Sequence, residues 1–141
     1  MKIIFVSHGS FSKGLYESVQ MIFGEQKNMS YLGLYPTDDV EDFTNKLEEE
    51  IKKSNPEEDV LILSDLFYGS PFNATVRLMA KYDLYHITGI NLPLTLEVIT
   101  QSNAGKTTQE ICDSVIELSK EGIVDIRKQL GDALKQEEEN I

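Results

Sequence analysis

Four short runs rich in Ile, Val, Leu, Phe and Tyr, at residues 2–7, 30–35, 59–64 and 85–90, set the strongest limit on how this chain folds. Each is bounded by polar residues or by Gly and Pro, which marks it as a strand. The stretches between them carry apolar residues at helical spacing: Leu15, Val19, Ile22 and Phe23 after the first run, Val40, Phe43, Leu47 and Ile51 after the second. Strand and helix therefore alternate, which predicts a mainly parallel sheet with right-handed crossovers and helices on both faces. The unbroken apolar stretch Val60-Leu61-Ile62-Leu63 fits a strand covered on both sides.

Helix punctuation continues the pattern. Ser70 at an N-cap position and Pro71 in the first turn, where a missing N–H costs nothing, open a third helix running through Val76 and Met79. A fourth begins near Pro93, and a fifth covers Thr107 to Lys120, with Ile111, Val115 and Leu118 on one face and Gly122 as its stop. Ile123 to Ile126 is the last strand candidate. The remainder, 128–141, closes on the charge run Gln136-Glu137-Glu138-Glu139-Asn140 and is expected to be a frayed helix or a disordered tail after one domain spanning 1–127.

The bulk numbers narrow the function classes. With 141 residues the chain is sized for one domain and one core. A net charge of -11 disfavours nucleic acid or anionic lipid as a partner, since both are gripped by clustered Lys and Arg, and favours a basic protein. The single cysteine, Cys112, excludes an intrachain disulfide and reads as a small buried helix residue. The opening run Ile3-Ile4-Phe5-Val6 is far shorter than the ~20 residues of a membrane span and has no cleavage-site pattern after it, which points to the cytoplasm.

In a flavodoxin-like doubly wound fold, with strand order 2-1-3-4, the first and third strands are neighbours at the switch point, and a crevice opens beyond their carboxyl ends. His8 follows the first strand and Asp65 the third, 57 residues apart in sequence but side by side in this topology. A carboxylate bonded to one imidazole nitrogen leaves the other as a lone-pair nucleophile. Gly9-Ser10-Phe11-Ser12 and Gly69-Ser70-Pro71-Phe72-Asn73 lead into two helices whose N-termini point at the same crevice. Their amides, with Ser10, Ser12, Ser70 and Asn73 as side-chain donors and Gly9 and Gly69 allowing close approach, make an anion site suited to a phosphoryl group. His86 is expected at the start of the fourth strand, a strand length from His8, in a structural role. No metal-ligand cluster or cofactor motif stands out.

These segments, Lys2 to Gly14 and Leu63-Ser64-Asp65-Leu66-Phe67-Tyr68-Gly69-Ser70-Pro71-Phe72-Asn73, with Gly89-Ile90-Asn91-Leu92-Pro93 as a third, resemble the signature regions of the mannose-family IIA components of sugar phosphotransferase systems. The resemblance runs to about Arg127. It implies that His8 accepts a phosphoryl group from the phosphohistidine carrier HPr and passes it to a IIB component, with the membrane components IIC and IID further down the path. It also implies that Asp65 orients the histidine, and that a homodimer forms in which an antiparallel final strand, here near Ile123 to Ile126, is added to the partner's sheet. Tyr68 departs from the family pattern, which usually has a second glycine before Gly69. The phosphotransfer subunit associated with dihydroxyacetone kinase shares a similar fold and histidine. A non-covalent flavodoxin-like binding module is the alternative from another class.

Overall fold

The structure is a computed structural model that describes residues 1–140. Four strands, β1 (Lys2–His8), β2 (Met29–Leu34), β3 (Val60–Ser64) and β4 (Tyr85–Thr88), form one parallel sheet in the order β2-β1-β3-β4. Helices α1 (Phe11–Phe23), α2 (Val40–Lys52) and α3 (Ser70–Met79) make the crossovers, and α4 (Leu92–Asn103), α5 (Thr108–Ser119) and α6 (Ile126–Glu139) follow the last strand. The doubly wound fold and its strand order are as the sequence predicts.

Alternation along the strands divides the core in two. Ile3, Phe5, Leu61, Leu63 and Ile87 pack against Leu15 and Val19 of α1, Val98 of α4 and Ile111 and Val115 of α5. On the other face Ile4, Val6 and Ile62 meet Phe43, Leu47 and Ile51 of α2 with Ala74 and Leu78 of α3. Each fully buried side chain of this kind contributes about 1.5–3 kcal/mol, so the two central strands, β1 and β3, anchor the fold. Their carboxyl ends are the most rigid place on which to mount a site.

Caps fix the helix starts. Asp39 accepts from Glu41 N, Asn91 from Leu94 N, Thr107 from Glu110 N and Asp125 from Lys128 N. The two helices that begin at the crevice are the exceptions: neither the N-cap Ser10 of α1 nor Gly69 of α3 makes a side-chain capping bond.

The third helix runs through Val76 to Met79 as expected. Several expectations need correction. Ile22 and Phe23 of α1, Val40 of α2 and Leu118 of α5 keep the helical spacing of the core-facing residues but are exposed. Cys112 is half-buried, and burial raises its thiol pKa. Residues 123–125 join no strand of the described sheet; they connect a 3-10 turn (Lys120–Gly122) to α6. The acidic segment is helical from Ile126 to Glu139, buries no residue, and leaves Ile126, Leu130 and Leu134 exposed along one stripe. Ile141, the end of the predicted tail, lies outside the described residues. No described helix is long and apolar enough to cross a membrane.

Candidate active site at the sheet switch point

His8 ends β1, paired with Leu34 of β2, and Asp65 follows β3 with its N–H donating to Val6 O. Register alone thus brings the two together. Asp65 Oδ2 accepts from the His8 main-chain N–H at 2.9 Å and lies 2.8 Å from His8 Nδ1. A carboxylate oxygen accepts, so this contact suits the tautomer with its proton on Nδ1 and its lone pair on Nε2. The histidine side chain is about half exposed (49%) and the carboxylate mostly covered (15%), so the nucleophilic edge faces solvent while its orienting partner is shielded. The other carboxylate oxygen, Oδ1, is buried with no hydrogen-bond partner among the described residues.

Gly69 completes this arrangement. A Cβ there would stand 3.1 Å from His8 Cε1 and 3.3 Å from Nε2, and its φ of 98° belongs to glycine. The main chain of the β3–α3 turn therefore lies directly beside the reactive nitrogen. On the opposite flank Gly9 N donates to Leu34 O, and Gly33 admits that close packing, since a Cβ at 33 would strike Gly9 O.

Of the other expected phosphate ligands, Ser10 and Asn73 are exposed and Gly9, Gly69 and Ser70 partly so; Gly9 and Ser10 precede α1, Gly69 caps α3, and Ser70 and Asn73 lie in its first turn. Ser12 is not among them. It is wholly buried, its hydroxyl donating to Leu32 O and its N–H to Ser7 Oγ, so it ties α1 to the sheet. Ser7, overlooked in the sequence, is that tie's other half; a hydroxyl inside an otherwise apolar strand was the available signal.

His86 is also nearer the site than expected. It pairs with Ile62, but its Nε2 reaches along the strand to within 2.7 Å of Ser64 Oγ, the residue before Asp65, and Ser64 donates onward to Thr88 Oγ1 at 2.8 Å. Its ring also packs against Phe72 of α3. Burial lowers the His86 pKa to about 4 from an ordinary 6.5. The unfolded chain then binds a proton that the native state refuses, so stability present above pH 6.5 is lost as pH falls towards 4. The loss expected is roughly 2 kcal/mol for a ring still partly solvated. Urea midpoints measured across this range should fall with pH, and His86→Val, which leaves Ser64 its Thr88 partner, should flatten the slope; an equal slope in both proteins would show that His86 is not the group responsible.

A doubly wound protein with a carboxylate-oriented histidine at the switch point is the class that fold and site define. The family model described as "PTS system fructose IIA component" matches residues 2–116, and the chain belongs to this EIIA-man family of phosphotransferase-system IIA components. It is 33% identical over 101 residues to the "PTS system fructose-specific EIIA component" of Bacillus subtilis, covering 71% of this chain and 69% of that one. It is 28% identical over 122 residues to the "PTS system mannose-specific EIIAB component" of Escherichia coli, covering 86% of this chain but only 38% of that longer protein. The crystal structure of a phosphotransferase system EIIA component from Streptococcus agalactiae superposes with a TM-score of 0.81 at 29% identity, over 90% of this chain and 98% of that one.

Proposed function

We propose that this chain is a phosphoryl carrier of sugar uptake, taking phosphate from phospho-HPr on His8 and passing it to a IIB component. The observation that carries the reading is the 2.8 Å contact between His8 Nδ1 and Asp65 Oδ2, which leaves Nε2 of a half-exposed imidazole at a strand end without that partner. In the forward step the Nε2 lone pair attacks phosphorus, the N–P bond of HPr breaks, and its electron pair returns to the HPr imidazole. The second step repeats this with IIB as acceptor. Little covalent rearrangement is asked of the protein, so alignment and charge stabilisation dominate. Asp65 stabilises the cationic ring while it bears the phosphoryl group, and the loops holding Gly9, Ser10, Gly69, Ser70 and Asn73 bind its oxygens. Incubation with phospho-HPr is the test: acid-labile, alkali-stable label on the chain, drained by a IIB component, is expected. Bound flavin with no label would instead favour a non-covalent binding module.

The working unit in this reading is a cytoplasmic homodimer of a domain spanning 1–127, with 128–141 as an appendage. Support comes from Ile123, 81% exposed, and from the bare apolar stripe of α6, which no described residue covers. Residues 123–126 as a strand added to the partner's sheet would cover the first of these, with Ile126 leaving the first turn of α6. Sedimentation should give a dimer, and a chain ending before Gly122 should give a monomer of lower stability. A well-behaved full-length monomer would count against the exchange.

A further inference from the structure

The turn from Asp65 to Gly69 contains a backbone anomaly. Tyr68 is the only non-glycine residue with positive φ (67°) among the described residues, whereas Gly9, Gly24, Gly69, Gly89 and Gly105 fill the other such positions. A bulky L-residue is disfavoured there because its Cβ crowds its own carbonyl, and such a conformation persists only where surroundings enforce it. The enforcement is aromatic. The Tyr68 ring sits 4.0 Å from that of Phe67 and 5.6 Å from that of Phe72, and Phe72 rests at 5.2 Å on His86, which is anchored through Ser64 in the sheet. Yet the packing does not bury it: Tyr68 is 63% exposed, and Leu66 and Phe67 are each 57% exposed. Core stability thus gives little reason for a tyrosine at this position. The ring is held up into solvent one residue before Gly69, where any Cβ would crowd the His8 ring.

We propose that Tyr68 is a docking residue for the histidine-bearing proteins that exchange phosphate with His8, its constrained backbone directing the ring outward one residue from the glycine that borders the His8 ring. The proposal rests on the carrier reading above. His8 offers one open nitrogen, so donor and acceptor must approach it from the same side in turn, laying their own histidine loops on the 65–69 turn and on Phe11, itself 48% exposed. Keeping water from the reacting pair favours transfer over hydrolysis of the N–P bond, and a rim of large apolar side chains around it does this. Aromatic rings anchor such interfaces at low entropic cost. The rim residues Leu66, Phe67 and Tyr68 carry no charge, so their contribution to docking is insensitive to salt.

Three variants assayed with phospho-HPr test this. Tyr68→Gly and Tyr68→Asn both accept positive φ and remove the ring; KM for phospho-HPr should rise about tenfold with the loss falling mainly on KM rather than kcat. Their melting temperatures should stay at or above the parent's, and the ¹⁵N signals of the His8 ring should keep the parent pattern. Tyr68→Phe should restore the parent KM. Parent-like KM in the Gly and Asn variants overturns the docking role, as does a melting temperature several degrees lower, which would make Tyr68 a structural prop. If the parent itself takes no label, the carrier reading falls and the docking role with it; label on the parent with indifferent variants removes the docking role alone.

Discussion

His8→Ala is expected to abolish labelling by phospho-HPr, a loss of more than about 10³-fold, while leaving the protein folded. The side chain is half exposed at a strand end, so little packing goes with it. Its removal does not strand the carboxylate either, because Asp65 Oδ2 keeps the main-chain N–H of residue 8 at 2.9 Å, a bond that needs no imidazole. Stability should therefore shift by no more than about 1 kcal/mol. Quantified ³²P incorporation with a thermal melt checks both halves. Acid-labile label at normal stoichiometry in the folded variant would place the phosphoryl group elsewhere, and His86 is too enclosed against Phe72 and Ser64 to be an easy substitute.

How much of this was legible in the sequence depends on whether local pattern or long-range packing decides. The four strands follow from alternation, and once the flavodoxin-like order 2-1-3-4 is taken, the meeting of His8 with Asp65 follows from the switch-point rule, which needs only to know what ends each strand. Helix faces were less legible. Leu118 keeps the spacing of Ile111 and Val115 but is half exposed, and spacing carries no record of where the neighbouring element stops. The same limit applies to Ile123-Val124: β-branched residues suit a pleated surface, but a strand exists only where another strand receives it. Ser12 belongs to a Gly-Ser-Phe-Ser sequence that reads as an anion cradle, and only the position of Leu32 O shows that its hydroxyl is already taken within the first turn of α1. His86 was placed by counting residues along β4, whereas its ring extends a further step towards the site to meet Ser64. Tyr68 was visible as an oddity of the turn; that its φ is positive and its ring stands in solvent is known only from the fold.

Asp65→Asn separates the geometry of the site from its charge, and transfer should fall by about 10²–10⁴-fold. One carboxylate oxygen serves two donors, the main-chain N–H and the ring Nδ1–H of His8, while the other is buried without a partner. Asparagine fits this in two ways, and each fails differently. With its carbonyl towards His8, both bonds survive to a neutral acceptor, but the amide NH₂ takes the buried partnerless position, where an unmet donor costs about 1–3 kcal/mol. With the amide turned round, NH₂ faces the main-chain N–H of residue 8, and Nδ1 must become the acceptor. The proton then moves to Nε2, and the nucleophilic lone pair is lost. In both orientations the negative charge that steadies the phosphorylated, cationic ring is gone. Rapid-quench measurement of the first transfer gives the rate, and ¹⁵N shifts of the His8 ring report which nitrogen holds the proton. A variant with the parent's rate and the parent's tautomer would show that the 2.8 Å contact is incidental, and the nucleophile at this switch point would then need another source of orientation.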